Sequence, residues 1–467
     1  MEIFSWEQAA QPQVKPGSVF ALVLRKWCVI TCTLLALSPA GNLVVSPASA
    51  LDYAALTNSV PPTHVARLEK FQNFQIKGIC GTARLDLAAA YGANTLRTYT
   101  PPSREQLDQY QRLGLKVIVG IWMPHDGENS GKNGKWDYDY RKSGDDQVKA
   151  LEEIIDRIGN HPAILMWCFG NEVHVDPPYL QTVNRMSELL HKKHPDQLTS
   201  LTMINAPKEK LALIKQYAPN LDVIGYNSYG HGAVGGAIKN LEEVWGRAYY
   251  VSEFGPQGPW WGRKTAWGAF YEQSYDEKLA DVRQSFAKID AAPRCLGSTM
   301  FLWGSWSQQL PTYFSAFLNP DVNPDGTHGE VAEQDLLITP MTEEFCHYWS
   351  GHYPTNRGPV LTKITIAGPK YAGDTVLQAG ERFNASATVA DSDIPADKLR
   401  YCWWILDKSG NAVCGPKETG QPSAELNAPT KGGTNYTIMV YVIDQNKRAS
   451  GFTVPVKVED KQSASLR

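Results

Sequence analysis

Two glutamates far apart in the 467-residue chain each follow an apolar run in a manner suited to acid–base chemistry. One closes the segment Trp167-Cys168-Phe169-Gly170-Asn171-Glu172; the other lies within Tyr250-Val251-Ser252-Glu253-Phe254-Gly255. Each alone says little, because Asn-Glu and Ser-Glu are common dipeptides and an isolated Glu after a strand is more often an ion-pair partner. As a pair they say more. Cleaving a glycosidic bond takes one carboxyl group to protonate the leaving oxygen and a second to attack the anomeric carbon or activate water. The two can do this only if the fold brings both to one cleft.

The elements that would do so are legible as alternating strand-like runs and helical patterns. Phe74–Cys80 precedes a helix at Leu85–Tyr91, Asn94–Tyr99 precedes Ser103–Leu113, and Leu115–Trp122 leads through a polar loop to Asp145–Ile158. Ala163–Phe169 is followed by Pro178–Lys193, Leu198–Ile204 by Lys208–Tyr217, and Leu221–Tyr226 by Ala237–Trp245. Ala248–Ser252 precedes Glu272–Ile289, and Gly297–Trp303 precedes Thr342–Trp349. Nearly uninterrupted apolar strands imply a parallel sheet buried on both faces, and eight such units match an α/β (β/α)8 TIM barrel. No Gly-rich phosphate fingerprint follows the first strand, which argues against a dinucleotide fold. A barrel of this kind sets its working residues at the C-terminal ends of its strands, where Glu172 and Glu253 fall after the fourth and seventh.

The pattern changes after Tyr353-Pro354-Thr355-Asn356-Arg357-Gly358-Pro359. Leu361–Ile366, Arg382–Val389, Leu399–Leu406, Ser423–Asn427, Tyr436–Asp444 and Thr453–Val458 are short alternating runs between turn residues. They predict a small all-β immunoglobulin-like sandwich. The expected organisation is a signal peptide over residues 1–50, a barrel over 51–355 and an independently folding sandwich over 360–460. The leader reading rests on Arg25-Lys26, the apolar run Trp27–Leu37 and the small-x-small site Ala48-Ser49-Ala50. It places the protein outside the cytoplasm, secreted or periplasmic, without stable membrane insertion once the leader is cleaved. Beyond it lie six cysteines; Cys402 and Cys414 flank a predicted hairpin and could pair, whereas Cys80, Cys168 and Cys295 lie in strand-like runs as buried thiols. The net charge of −3 shows no basic stripe, so nucleic acid is a poor partner. No Cys/His spacing suggests zinc, and Asp321-Val322-Asn323-Pro324-Asp325-Gly326 has Ala332 where a calcium loop needs a bidentate Glu, so neither metal nor cofactor is expected.

Gly170-Asn171-Glu172 and Ser252-Glu253-Phe254-Gly255 resemble the two signatures of the retaining β-glycosidases built on (β/α)8 barrels, whose catalytic glutamates follow strands four and seven. The resemblance covers roughly residues 70–350 and is closest to the barrel domain of glycoside hydrolase family 2. It implies Glu253 as nucleophile and Glu172 as acid/base, with Asn171 on the sugar 2-hydroxyl. It further implies Arg97, in Leu96-Arg97-Thr98-Tyr99, beside the nucleophile, Tyr229, in Asn227-Ser228-Tyr229, hydrogen-bonded to it, and Trp303 as an aromatic floor for the sugar. The chain departs from full-length members of that family: between residue 50 and Phe74 there is no room for the domains they carry before the barrel, and a sandwich follows instead.

Further residues suit a carbohydrate partner. The exposed-type aromatics Trp260 and Trp261, in a Gly/Pro-rich loop, suit stacking on the apolar face of a sugar. His125, in Met123-Pro124-His125-Asp126, could line the cleft, although a solvated loop histidine is as good a reading. Trp136, Tyr138 and Tyr140 form an aromatic cluster, and one of Trp403-Trp404 should be core by alternation, leaving the other for a sugar. Two classes of function fit: a retaining β-glycoside hydrolase, or a transglycosidase using the same intermediate, and a non-catalytic glycan-binding envelope protein that has kept the barrel. Arg97-Thr98-Tyr99-Thr100-Pro101-Pro102 is similar to strand two of some β-1,3-glucan-acting barrels, which makes a β-glucan the first substrate to consider.

Overall fold

The computed structural model describes residues 53–461 apart from 58–59, 124–139, 174, 306–310, 322–330, 391–392 and 396–397. Eight parallel strands close into a barrel in sequence order: β1 (Ile76–Cys80), β2 (Thr95–Arg97), β3 (Lys116–Ile121), β4 (Ile164–Phe169), β5 (Leu198–Ile204), β6 (Val223–Asn227), β7 (Tyr249–Phe254) and β8 (Cys295–Met300). Short helices α1 (Tyr53–Thr57) and α2 (Pro62–Leu68) precede the barrel. Around it run α3 (Leu85–Ala90), α4 (Arg104–Arg112), α5 (Tyr140–Ile158), α6 (Pro177–Lys193), α7 (Lys208–Tyr217), α8 (His231–Asn240), α9 (Tyr275–Asp290) and α10 (Pro340–Ser350). The helices start where local chemistry favours it. At α4 the Ser103 hydroxyl accepts from the Gln106 N–H (3.2 Å) while the Gln106 side chain accepts from the Ser103 N–H (2.8 Å), a reciprocal cap of two otherwise unpaired donors.

The N-terminal end of the barrel is closed by a buried carboxylate. Asp222 accepts from Arg67 of α2 (2.8 Å), His191 of α6 (2.9 Å) and the Thr199 N–H (2.9 Å). His64 of α2 also approaches it, at 3.3 Å. Burial lowers the His64 imidazole to about 4, against the pull of Asp222. With this end plugged, the opposite face, at the C-terminal ends of the strands, is left for chemistry.

Strands beyond the barrel begin with a two-stranded pair, β9 (Phe317–Leu318) and β10 (Leu337–Ile338). A three-stranded sheet follows, from β11 (Val360–Ile366), β14 (Arg382–Ala390) and β17 (Ser423–Asn427). A six-stranded sheet orders β12 (Lys370–Tyr371), β13 (Asp374–Gln378), β19 (Ala449–Glu459), β18 (Thr434–Ile443), β15 (Arg400–Leu406) and β16 (Ala412–Thr419). Ile364, Phe383 and Leu426 from the first sheet and Trp403, Val440 and Val456 from the second share one core, so the two sheets form a sandwich.

Three expectations are corrected here. Cys402 and Cys414 do not pair: in the β15–β16 register Cys414 faces Ile405 and Cys402 faces Glu418, and both thiols are free. Trp404 is on the opposite face of β15 from Trp403, as alternation requires, but that face is no more exposed: Trp404 packs with Tyr441, Leu318 and Leu337 against the barrel. Tyr140 is buried edge-on against Tyr179 at 5.2 Å, so it belongs to the barrel core; Trp136 and Tyr138 lie outside the described residues.

The barrel and sandwich are joined by buried charge as well as apolar surface. Glu272 on the barrel accepts from Thr453 of β19 (2.7 Å) and Thr312 (2.8 Å) and is paired with the buried Lys278 of α9. Glu343 of α10 is paired with Arg448 (2.6 Å) and Arg357 (3.1 Å) and accepts from the Gly358 N–H (2.9 Å). Removing one partner of a buried pair costs about 3–5 kcal/mol, because the other charge is left desolvated and alone. Truncation after Asn356 takes Arg357, Gly358, Arg448 and Thr453 away and uncovers Leu318 and Leu337. The barrel so produced is expected to melt about 10 °C or more below the intact chain, or to aggregate, measured by thermal unfolding. An equally stable, soluble barrel would show that the two parts fold independently.

Candidate active site

Both glutamates emerge at the C-terminal end of the barrel. β4 ends at Phe169, and the Tyr179 hydroxyl donates to its carbonyl at 2.6 Å. The chain then turns through Gly170, whose φ of +84° suits glycine and where a Cβ would come within 2.4 Å of Val173. Glu172 itself has a φ of +51°, a left-handed conformation uncommon for a residue with a Cβ and frequent at functional sites. Glu253 lies inside β7, opposite Asn227 of β6 in register, and is almost wholly buried.

Three donors converge on the Glu253 carboxylate. Oε1 accepts from the Arg97 guanidinium (2.8 Å) and the Tyr99 hydroxyl (2.7 Å), and Oε2 accepts from the Tyr229 hydroxyl (2.7 Å). Arg97, buried at the end of β2, also donates to the Ser252 carbonyl (2.9 Å) and to Asn171 Oδ1 (2.6 Å). Asn227 forms the link between the glutamates' surroundings. Its Nδ2 donates to Glu172 Oε1 (2.9 Å) and Asn171 Oδ1 (3.2 Å), while its Oδ1 accepts from Ser252 Oγ (2.8 Å).

The two carboxyl groups therefore have different surroundings. Burial, then the negative charge of Glu253, raises the Glu172 carboxyl to about 7, although the Asn227 hydrogen bond and Arg97 pull it down. The Tyr99 and Tyr229 phenols are held well above their usual range, first by burial, so both remain neutral donors to Glu253.

Arg97, Asn171, Glu172, Asn227, Tyr229 and Glu253 are thus brought together as the sequence implied. Tyr99 was not singled out, yet the signal was present: it lies two residues beyond Arg97, where an extended chain turns its side chain to the same side. Trp260 also reaches the cleft. It is 49% exposed, in a short 3-10 turn, with its ring edge-on to Tyr229 at 5.8 Å; Trp261 beside it is 59% exposed. Trp303 does not form the expected floor. β8 ends at Met300, three residues before the predicted end, so Trp303 lies past the strand, fully buried between Phe317 (5.3 Å) and Trp349 (6.0 Å) with no face for a sugar. The aromatic neighbours of Tyr229 are instead Phe301 (6.0 Å), Phe314 (4.8 Å) and Trp260. His125 lies outside the described residues, among which no group of three or more His, Cys, Asp or Glu is placed to hold a metal ion.

A closed eight-stranded parallel barrel with two carboxyl groups at one rim is an arrangement that the cleavage of a glycosidic bond can use. The family model described as glycosyl hydrolases family 2, TIM barrel domain, matches residues 82–242. The match includes Arg97, Asn171, Glu172, Asn227 and Tyr229; Glu253 lies beyond it. The chain is similar to the beta-glucuronidase of Chlorocebus aethiops, 31% identical over 148 residues, covering 30% of this chain and 20% of that protein. It is 32% identical over 148 residues to the beta-glucuronidase of Mus musculus, with the same coverage, and 26% identical over 159 residues to that of Streptococcus agalactiae serotype V, covering 31% and 25%. The matched stretch thus spans a quarter or less of these relatives' own length.

Replacing Asn227 by Ala removes the hydrogen bond that favours the charged form of Glu172. The Glu172 carboxyl is then expected to titrate above its value in the unmodified protein, measured by 13C NMR of the labelled carboxyl carbon. A fall would mean that the desolvation at this site depends on Asn227.

Proposed function

We propose that this protein is a retaining β-glycoside hydrolase acting by double displacement on a β-linked oligosaccharide or polysaccharide outside the cytoplasm. The observation that carries the reading is the division between the two carboxyl groups. Glu253 is held by a guanidinium and two phenols, as suits an ionised nucleophile, whereas Glu172 is raised to about 7, as suits a proton donor near neutral pH. A carboxyl group kept protonated near neutral pH, beside another held by a cation and two neutral donors, is the basis for assigning acid and nucleophile here.

In the first step Glu172 protonates the leaving oxygen while Glu253 attacks the anomeric carbon. The glycosyl ester so formed is neutral, so its repulsion on Glu172 disappears. Glu172, left as the carboxylate by that proton transfer and no longer opposed by a second anion, takes a proton from the incoming water, which attacks the anomeric carbon, frees Glu253 and releases the sugar with its β configuration. Asn171 accepts from Arg97 and Asn227 through Oδ1, so its NH2 is the group available to the sugar 2-hydroxyl. Trp260 and Trp261 supply apolar faces for sugars next to the cleft. The relatives act in support of this reading by their name, and an aryl β-glucuronide belongs beside aryl β-glucosides and β-1,3-glucans in the substrate screen. Product sizing separates hydrolysis from transfer to a second sugar. An absence of turnover on every β-linked substrate would favour a glycan-binding envelope protein.

The acid must be protonated, so kcat/KM is expected to fall as pH rises through about 7, and Glu172→Gln should abolish that limb. The carboxyl groups of a retaining pair should lie ~5–5.5 Å apart, against ~6.5–9.5 Å for an inverting one. Stereochemistry is the sharpest test of the roles. Glu253→Ala with azide should yield the α-glycosyl azide, because the anion attacks from the vacated face. Glu172→Ala should still be glycosylated by dinitrophenyl glycosides, and azide should release the β-glycosyl azide from it. The opposite pair of products would exchange the two roles, and no rescue of either variant would remove both residues from the chemistry.

A further inference from the structure

The loop between β7 and α9 carries Trp260 and Trp261, and its two halves are secured differently. Near the barrel, Gln257 donates from its N–H to Asp281 Oδ2 (2.9 Å) and from its side chain to the Trp261 carbonyl (2.7 Å). The far half, residues 263–271, folds into a small hairpin: the Tyr271 N–H donates to the Arg263 carbonyl (2.8 Å), the Thr265 N–H donates to the Ala269 carbonyl (2.8 Å), and Lys264 bridges Phe270. This hairpin is fastened to the sandwich. Asp374, 3% exposed at the start of β13, accepts from the Tyr271 hydroxyl through Oδ1 (2.7 Å) and from the Ala266 N–H through Oδ2 (2.7 Å). Arg263 completes the cluster, with its guanidinium 3.6 Å from the centre of the Tyr271 ring and Nη1 3.5 Å from Asp374 Oδ1.

Both ends of this connection are geometrically constrained. Asp374 pairs with Tyr371 across a two-residue turn in which Ala372 (φ +51°) and Gly373 (φ +89°) both have positive φ, as the tightest hairpin turns require. At the other end Gly262 lies so close to the Tyr271 carbonyl that a Cβ there would come within 2.7 Å of it. The base of the hairpin therefore abuts the peptide directly after Trp261. A continuous set of contacts runs from Asp374 through the hairpin to Trp261 and Trp260, and from Trp260 to Tyr229 and Glu253.

We propose that Asp374 is a positioning residue through which the sandwich holds the Trp260–Trp261 loop as a stacking platform for sugar units beyond the one cleaved. The inference rests on the glycosidase reading for its substrate class, and it assigns the enzyme to oligomers. The sandwich acts as a strut for the cleft, with no sugar site of its own required.

The test uses the full-length chain with 5-fluorotryptophan incorporated, the Trp260 and Trp261 19F resonances being assigned with Trp260→Phe and Trp261→Phe. Asp374→Ala is expected to shift or broaden these two resonances and leave the core tryptophans unmoved. With a 4-nitrophenyl β-glycoside that the unmodified enzyme cleaves, kcat and KM should stay within about twofold, while for the β-linked pentasaccharide of the same sugar KM should rise about tenfold. In a Trp261→Ala background Asp374→Ala should add little, since both act through one platform. Asp374→Glu should recover part of the loss, and Tyr271→Phe, which removes one hydroxyl from the loop side, should reproduce it should Asp374→Ala fail to fold. Unchanged Trp260 and Trp261 resonances, equal effects on both substrates, or additive effects with Trp261→Ala would overturn the proposal. Shifted resonances in a chain that cleaves no glycoside would support the strut and overturn the glycosidase reading instead.

Discussion

The arrangement of the cleft depends on a single buried cation. Arg97 is enclosed at the end of β2, where its guanidinium bonds the Glu253 carboxylate, the Ser252 carbonyl and the Asn171 amide. A charge removed from water is tolerable only when it is paired and its donors are used, and leaving one partner alone costs about 3–5 kcal/mol. The demand is reciprocal. Glu253 can be buried as an anion because Arg97 is there, and Arg97 holds Asn171, hence the turn bearing Glu172, from the far side of the barrel. One ion pair so couples the ends of β2, β4 and β7, which are distant in sequence.

From this pair the electrostatic asymmetry follows. Arg97 and the Tyr99 and Tyr229 hydroxyls are all directed at Glu253, while the half-buried Glu172 receives one amide donor, from Asn227. Burial and the neighbouring anion favour the neutral form of Glu172. The phenols matter for a second reason. Burial holds them neutral, so they donate hydrogen bonds without adding a further charge to the interior.

The barrel and sandwich belong to one structural argument. Glu272, Glu343 and Asp374 each bind across the boundary between the two parts, and the apolar outer face of the six-stranded sheet covers Leu318 and Leu337. An interface built from desolvated carboxylates is directional, since each must find its own donors, and it fixes orientation more closely than apolar contact alone. It also places β12 and β13 beside the loop that follows β7, so a structural module reaches the cleft without contributing a residue to it.

The sequence by itself determined the barrel, because parallel strands buried on both faces are written as continuous apolar runs, and helix periodicity between them is local information. It also offered Glu172 and Glu253 as candidates, since Glu253 directly follows the run Ala248–Ser252 and Glu172 comes three residues after the run that ends at Phe169. Strands with polar or short patterns were not legible. β16 is an exposed edge strand containing Gly415 and Pro416, and β12 is two residues long. Only the tertiary structure decided where chemically similar side chains went. Trp303 was expected as a floor for the sugar and one of Trp403 and Trp404 as a sugar contact, yet packing against Phe317 and Trp349 buries Trp303, and Trp403 and Trp404 are buried on opposite faces of β15, whereas Trp260 and Trp261 stay exposed. Tyr99, Asn227 and Asp374 acquire their roles from partners between 55 and 154 positions away. Burial and hydrogen bonding are properties of neighbours in space, and a linear pattern records only neighbours along the chain.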